Sequence, residues 1–186
     1  MSRWGANLIR TLRASAVVLL VLALGLVVQS AAHATGGIDL TCSLLSTDKL
    51  FFTPSVTLEP QTVTIDKKTT YRHCYSPSAP DVVSGELVRL FTRTDSCPQA
   101  LGAGPTAQTI TWNTGETSTI SVVRTPTLAH GIYKVTFVGT VTAGLFTGSS
   151  AKQVYYADGR DLQRCLDGDG TVINSIISLV SLTFSH

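Results

Sequence analysis

The stretch from Thr109 to Val122, TITWNTGETSTISV, decides the fold. Apolar and polar residues alternate through Ile110 and Trp112, the pattern breaks at Asn-Thr-Gly-Glu, and alternation resumes through Ile120 and Val122. A period of two on both sides of a glycine-containing break is the signature of a β-hairpin. Residues directly opposite one another in a hairpin share a face. Pairing Ile110 with Ile120 therefore sets Trp112 opposite Ser118 and leaves an odd loop at Thr114–Glu116. Gly115 would supply the unusual backbone angle that this loop needs. Trp112 then shares the apolar face, which points it inward as a cap on one end of a core. The competing reading is a tryptophan at a hairpin tip that stacks on a ligand such as a sugar.

The same period extends outward from this hairpin. IYKVTFVGTVTAG sets Tyr133, Val135, Phe137, Gly139 and Val141 on one face. GIDLTCSLL does so for Ile38, Leu40, Cys42 and Leu44, and TVTIDKK for Val63 and Ile65. In GELVRLFTRT the pattern is mixed, because Leu87 and Phe91 share their face with Arg89 and Arg93. AKQVYYA and SLVSLTFS complete the set, and turn signals such as SPSAPD, CPQALGAGP, TPTLAHG and DGDG separate the runs. The chain reads as all-β, a single antiparallel barrel or sandwich of about eight short strands. Parallel pairing would need long crossovers, usually helical. The only helix candidates are a turn near Ser78 and another near Asp161.

The N-terminus has a different character. Arg3, Arg10 and Arg13 precede an apolar run over 16–28, followed by a small-x-small site at Ala32-His33-Ala34. This is the layout of a cleaved secretory signal peptide. The run is shorter than the ~20 residues of a membrane-spanning helix. The expected organisation is a signal peptide over 1–34 and one secreted β-domain over 35–186, with no transmembrane helix in the mature form. The whole chain carries 14 Lys+Arg against 12 Asp+Glu. Three of those arginines and no acid leave with the leader, so the mature domain has a net charge of −1. A near-neutral domain offers no basic footprint for nucleic acid.

All four cysteines, Cys42, Cys74, Cys97 and Cys165, fall in the exported part. An even count there points to two disulfides. Three connectivities exist. In an up-and-down strand order, Cys42 and Cys74 meet at one end, and Cys97 and Cys165 at the other. That order favours Cys42–Cys74 with Cys97–Cys165; a Greek-key connection would break the argument, and Cys74–Cys97 with Cys42–Cys165 is the second choice.

Recognisable chemistry is sparse. His73, His130 and His186 have no metal-ligand spacing, and no G-x-S-x-G elbow occurs. Glu86 and Glu116 could only be a glycosidase-like pair if the fold brought them together. CLDGDGTVINSI resembles half of a calcium loop. With Asp167 and Asp169 at ligand positions 3 and 5, however, Cys165 and Ile176 fall at positions 1 and 12, where carboxylates are needed. It reads as a tight turn between strands. No metal site, cofactor or catalytic residue is assigned from the sequence.

Several elements together are similar to a group of secreted, β-rich actinobacterial proteins with no assigned activity. They are LFFTPSVTLEPQTVTI, HCYSPSAPDVVSG, ITWNTGETSTIS and GTVTAGLFTGSS, in that order. The resemblance implies secretion and a β-fold and carries over no site residues. This chain differs in having Ser55 where glycine is more usual, and in the number of its arginines, Arg72, Arg89, Arg93 and Arg124. The leading expectation is a non-catalytic module, secreted or wall-bound, whose partner is a wall component, a glycan, a protein or a small apolar ligand. The alternatives are a secreted hydrolase with a scattered active site and a cell-surface assembly component. A protease inhibitor presenting SPSAPDVV is a variant of the first. The intact mass of the exported protein is expected to correspond to a chain starting at Thr35; a membrane-retained product that still carries residues 1–34 would contradict this.

Overall fold

The computed structural model describes residues 36–186, so the signal peptide expected over 1–34 and the start expected at Thr35 lie outside the described residues. Its strands are β1 (Ile38–Val56), β2 (Gln61–Tyr71), β3 (Cys74–Tyr75), β4 (Gly85–Asp95), β5 (Gly104–Trp112), β6 (Thr117–Ala129), β7 (Ile132–Gly144), β8 (Ser150–Asp158) and β9 (Ile173–Ser185). A single helical turn, α1 (Cys97–Ala100), joins β4 to β5, and α2 (Arg160–Leu166) joins β8 to β9. Every pairing is antiparallel. β1 pairs with β2 along one edge and with β9 along the other, which closes all strands except the short β3 into an eight-stranded barrel. Between barrel and sandwich, the fold is therefore a barrel.

β1 is not short. It runs for 19 residues and spans the whole barrel. Alternation alone placed Leu44 with Leu40 and Cys42, but Leu44 and Leu45 are exposed. The ladder with β9 shifts register between Cys42 and Ser46, and the two leucines ride outward on that bulge. The helix expected near Ser78 is also absent. The segment after β3 is a bend and turn, and a helical turn forms instead at Cys97–Ala100, where Pro98 in the first turn sacrifices no hydrogen bond. α2 lies where the turn near Asp161 was expected.

The two ends of the barrel differ. One end holds the start of β1, the β5–β6 hairpin tip and the Cys42–Cys74 disulfide. The other holds α1, α2 and the Cys97–Cys165 disulfide that joins them. This is the connectivity that the up-and-down order favours. Closing a loop of the length between Cys97 and Cys165 stabilises a chain by about 4 kcal/mol in the chain-entropy picture.

The first end is packed solid around Trp112, which is 2% exposed. The hairpin register is two residues tighter than alternation suggested: Ile110 pairs with Ser118, and Gln108 with Ile120. The loop is Asn113–Gly115, with Gly115 at φ +88° and the Trp112 N–H donating to Glu116 O at 2.8 Å. A three-residue loop with glycine in the left-handed region accounts for the tighter register. A slip of two residues preserves every facing, so Trp112 still points inward. Its indole N–H donates to Ser118 Oγ at 2.8 Å, which in turn donates to Leu145 O at 2.6 Å. Tyr71, Phe146 and Phe184 surround the ring at centroid distances of 6.4, 6.1 and 6.2 Å. Gly85 lies beneath it; a Cβ there would sit 2.6 Å from the ring. Asn113 fastens the tip to the loop before β4, accepting from the N–H groups of Val83 and Ser84 and donating to Asp81 O.

Trp112→Ala is expected to destabilise the protein by about 3–5 kcal/mol, the usual effect of truncating a buried aromatic. Gly85→Ala should also destabilise it, because the indole has no room to retreat. Denaturant titration of oxidised protein checks both, and a melting temperature unchanged in Trp112→Ala would contradict the packing described.

Candidate ligand-binding cavity

The inward faces of β1 and β2 do not stay apolar. On β2 the series Val63, Ile65, Lys67, Thr69, Tyr71 points inside, and on β1 the series Ser46, Asp48, Leu50, Phe52 does the same. Asp48 and Thr69 are directly paired. Inside the barrel, Thr69 Oγ1 donates to Asp48 Oδ1 at 2.5 Å, and Lys67 Nζ lies 3.5 Å from the same oxygen. Lys67 sits over the Tyr155 ring at 4.8 Å and the Phe137 ring at 5.8 Å. Tyr155 donates to Gln153 Oε1 at 2.8 Å. The Tyr71 hydroxyl faces Tyr155, Thr69 and Gln153 without an aligned hydrogen bond. These residues form a polar belt across the barrel. On one side of it lies the Trp112 cluster; on the other, the interior is hollow.

The hollow is a cavity of about 90 Å³. Leu50, Phe52, Val135, Phe137, Ile173 and Ile176 make its apolar wall, while Asp48, Lys67, Tyr155, Arg93, Arg124 and Tyr133 supply its polar groups. It opens sideways. β4 and β5 pair only at Gly85–Trp112 and Glu86–Thr111, beyond which the two strands part. Arg89 reaches across the seam and donates to Ala107 O at 3.2 Å. The cleft so formed, about 340 Å³, shares Leu50, Lys67, Arg93, Arg124 and Phe137 with the cavity. A larger hollow of about 610 Å³ beside His130, Ile132 and Tyr156 lies on the outer surface of the barrel and is open to solvent.

Two tethers hold α1 beside the cavity. The Arg124 guanidinium donates to Gly102 O, to Ala100 O at 2.6 Å and to the Tyr133 hydroxyl at 2.5 Å. Tyr133 in turn donates to Ala100 O at 2.7 Å. Arg93 grips Asp95 through Nε at 3.0 Å and Nη2 at 2.6 Å.

Burial dominates the electrostatics. Asp48 is fully buried, and desolvation raises its carboxyl above the usual range even though Lys67 and Thr69 favour the charged form. Desolvation lowers the Lys67 ammonium against the pull of Asp48, and the positive charges of Arg89 and Arg124 lower it further. A pair shifted in these directions does not repay its own desolvation. Asp48 Oδ2, Gln108 Oε1 and Gln153 Nε2 are buried with no hydrogen-bond partner among the described residues. Asp48 borders the cavity and Gln108 the cleft.

Of the residues singled out from sequence, Arg89, Arg93 and Arg124 line the cavity or the cleft, and the others lie elsewhere. Trp112 belongs to the packed end, and the four cysteines form the two disulfides. Glu86 is exposed and pairs with Lys68 at 2.9 Å, and Glu116 is exposed beside the hairpin turn. Asp167 accepts from Gln163 Nε2, and Asp169 from the Thr171 N–H, in a turn that follows helix α2 and not a strand. No group of three or more His, Cys, Asp or Glu residues among the described residues could hold a metal ion. His186 pairs with Asp39 at 2.5 Å, and His73 and His130 are exposed with positive φ. The SPSAPDVV segment is not a free loop, since Ser76 and Val82 are buried and Val83 is bonded to Asn113. No helix among the described residues is long and apolar enough to cross a membrane. Comparison with protein-family models, curated proteins and solved structures finds no match to this chain.

The buried pair yields a sign-specific expectation. Asp48, held above 3.8, takes up a proton in the folded state before the unfolded state does, so its burden is relieved as pH falls through its folded pKa. Lys67, held below 10.5, gives up its proton early in the folded state, so its burden is relieved as pH rises through its folded pKa. The pair therefore weighs most on stability at pH values between the two folded pKa values, where both groups are charged. Lys67→Met alone should destabilise by about 3–5 kcal/mol there, whereas Asp48→Asn/Lys67→Met should be neutral or stabilising. The advantage of the double variant should shrink toward both acid and alkali. Chemical denaturation across pH checks this; a double variant less stable than Lys67→Met alone would contradict it.

Proposed function

We propose that this protein is a secreted, non-catalytic β-barrel that binds a small apolar ligand in the hollow half of its interior. One observation carries the reading: a mostly apolar, partly open cavity shares five lining residues with the cleft at the β4–β5 seam, in a barrel whose other half is filled by the core. Concave, mostly apolar sites with a few convergent polar groups are the usual form of small-molecule sites, and small barrels commonly hold one ligand at their mouth. Two disulfides and a leader-like N-terminus support an extracellular setting. Closure of the sheet through β1 limits strand-edge assembly, leaving as free edges the parted stretches of β4 and β5 and the two-residue β3.

A second reading, catalysis in the same cavity, draws on the perturbed Asp48 and Lys67. Hydrolysis of p-nitrophenyl octanoate that fell to background in Asp48→Asn would favour it.

Titration of oxidised protein with octan-1-ol in a calorimeter tests the binding reading. Saturable binding with a negative heat-capacity change is expected. Ile176→Trp, which fills the cavity from its half-buried wall, should abolish it while the protein stays folded. Binding that is unchanged in that variant, or no binding at all by the parent protein, would overturn the reading.

A further inference from the structure

The place where cavity and cleft meet is charged in a way the domain as a whole is not. Four cations, Lys67, Arg89, Arg93 and Arg124, converge there against two carboxylates, Asp48 and Asp95. The mature domain is slightly acidic overall, so this positive excess is local. Asp48 is engaged through Oδ1 by Lys67 and Thr69 while its Oδ2 has no partner among the described residues, and Asp95 is engaged by Arg93 and the Ser96 N–H. Arg89 and Arg124 have no carboxylate partner among the described residues; they donate to main-chain carbonyls and, for Arg124, to a tyrosine hydroxyl. A guanidinium bonded only to neutral acceptors keeps its charge uncompensated, and its remaining N–H groups suit a carboxylate. Lys67 faces the same space from the barrel interior, with only 12% of its side chain exposed.

The setting makes that charge useful. Phe137 and Leu50 line both spaces, so a ligand with its head among the cations continues directly onto an apolar surface. Phe91, under the guanidinium of Arg89 at 5.0 Å, extends that surface along the seam. Low dielectric on the cavity side strengthens an ionic contact at the mouth, and the parted strands let the head remain in touch with water. The two uncompensated arginines come from β4 and β6, on either side of β5 and the gap. An anion between them would bridge the seam that main-chain hydrogen bonds leave open.

Building on the apolar-cavity reading, we propose that the ligand is an amphiphilic carboxylate, held with its apolar body in the barrel cavity and its carboxylate between Arg89 and Arg124 at the β4–β5 seam. Specificity resides in the head: an alcohol of equal length fills the same cavity and leaves the arginines unneutralised, and an amine of equal length meets four cations.

Matched probes test this on the oxidised protein. Octanoate, octan-1-ol and octylamine are titrated by calorimetry at low and high salt. Octanoate is expected to bind about tenfold or more tightly than octan-1-ol, as a charge-assisted contact provides, and only octanoate should weaken with salt. Arg89→Gln, which removes an exposed side chain, should bring octanoate to within about threefold of the alcohol measured on the same variant. Arg124→Gln should act the same way; because Arg124 also tethers α1, a melting curve accompanies it, and the comparison of acid with alcohol in the unaltered protein stands without it. Equal affinity for acid and alcohol would overturn the carboxylate proposal and leave the apolar-cavity reading intact. Preference for octylamine would overturn it in favour of Asp48 and Asp95 as the head-binding groups. Failure of all three probes to bind would overturn the cavity reading and this proposal with it.

Discussion

β1 is hydrogen-bonded along both edges, and the rest of the molecule depends on that. By pairing with β2 and β9 at once it turns an eight-strand meander into a closed wall. Its length lets it contribute to every level of the interior: Leu40 and Cys42 in the packed end, Asp48 in the polar belt, and Leu50, Phe52 and Val56 in the hollow half. Closure needs curvature, and the register shifts after Cys42 and after Phe51 supply it. The first shift is held by Ser46, which donates to Ser43 O at 2.8 Å and accepts from the Arg72 N–H at 2.9 Å. That bulge throws Leu44 and Leu45 outward and sets Ser46 and Asp48 inward. The site thus inherits its geometry from the device that closes the barrel.

The polar belt then divides the interior. Aromatic and aliphatic side chains fill one half, with the only polar atom of the Trp112 ring satisfied by Ser118. In the other half, buried charge and uncompensated arginines replace close packing. A carboxylate and an ammonium that desolvation pushes toward their neutral forms are a poor way to stabilise a barrel, and hydrophobic side chains of similar volume would serve stability as well or better. Buried polar atoms without partners among the described residues, Asp48 Oδ2 and Gln108 Oε1, border this half, and perturbed groups of this kind are common where a protein meets a ligand. Stability elsewhere, from the packed half and from the disulfide joining α1 to α2, tolerates them.

Facing was legible in the sequence wherever the period of two ran unbroken. Trp112 and the Tyr133–Val141 series point inward as alternation requires, and the hairpin facing survived an error of two residues in register because the period is itself two. The disulfide connectivity followed from an up-and-down order, which the barrel has. The hidden part of β1 was not legible: Asp48, Lys49 and Thr53-Pro54 interrupt its hydrophobic pattern, so the strand seemed to stop near Ser46. The buried pair had a sign, since Val63 and Ile65 lead by steps of two to Lys67, Thr69 and Tyr71, and that step places a lysine inside. Its partner could not be found that way, because it depends on the β1–β2 register. Arg89 and Arg93 sharing a face with Leu87 and Phe91 was the visible trace of a charged mouth. Nothing local in β4 or β5 revealed that the two strands part after two pairs.

The division of the interior into a packed half and a ligand-accepting half is the central claim, and methyl NMR reads it directly. With isoleucine, leucine and valine methyls labelled and octan-1-ol added, shifts are expected at Leu50, Val135, Ile173 and Ile176. The methyls of Leu40, Val82 and Leu182 in the packed half should not move. Shifts confined to outward-facing Val88, Leu90 and Leu179, or spread equally through both halves, would contradict the account.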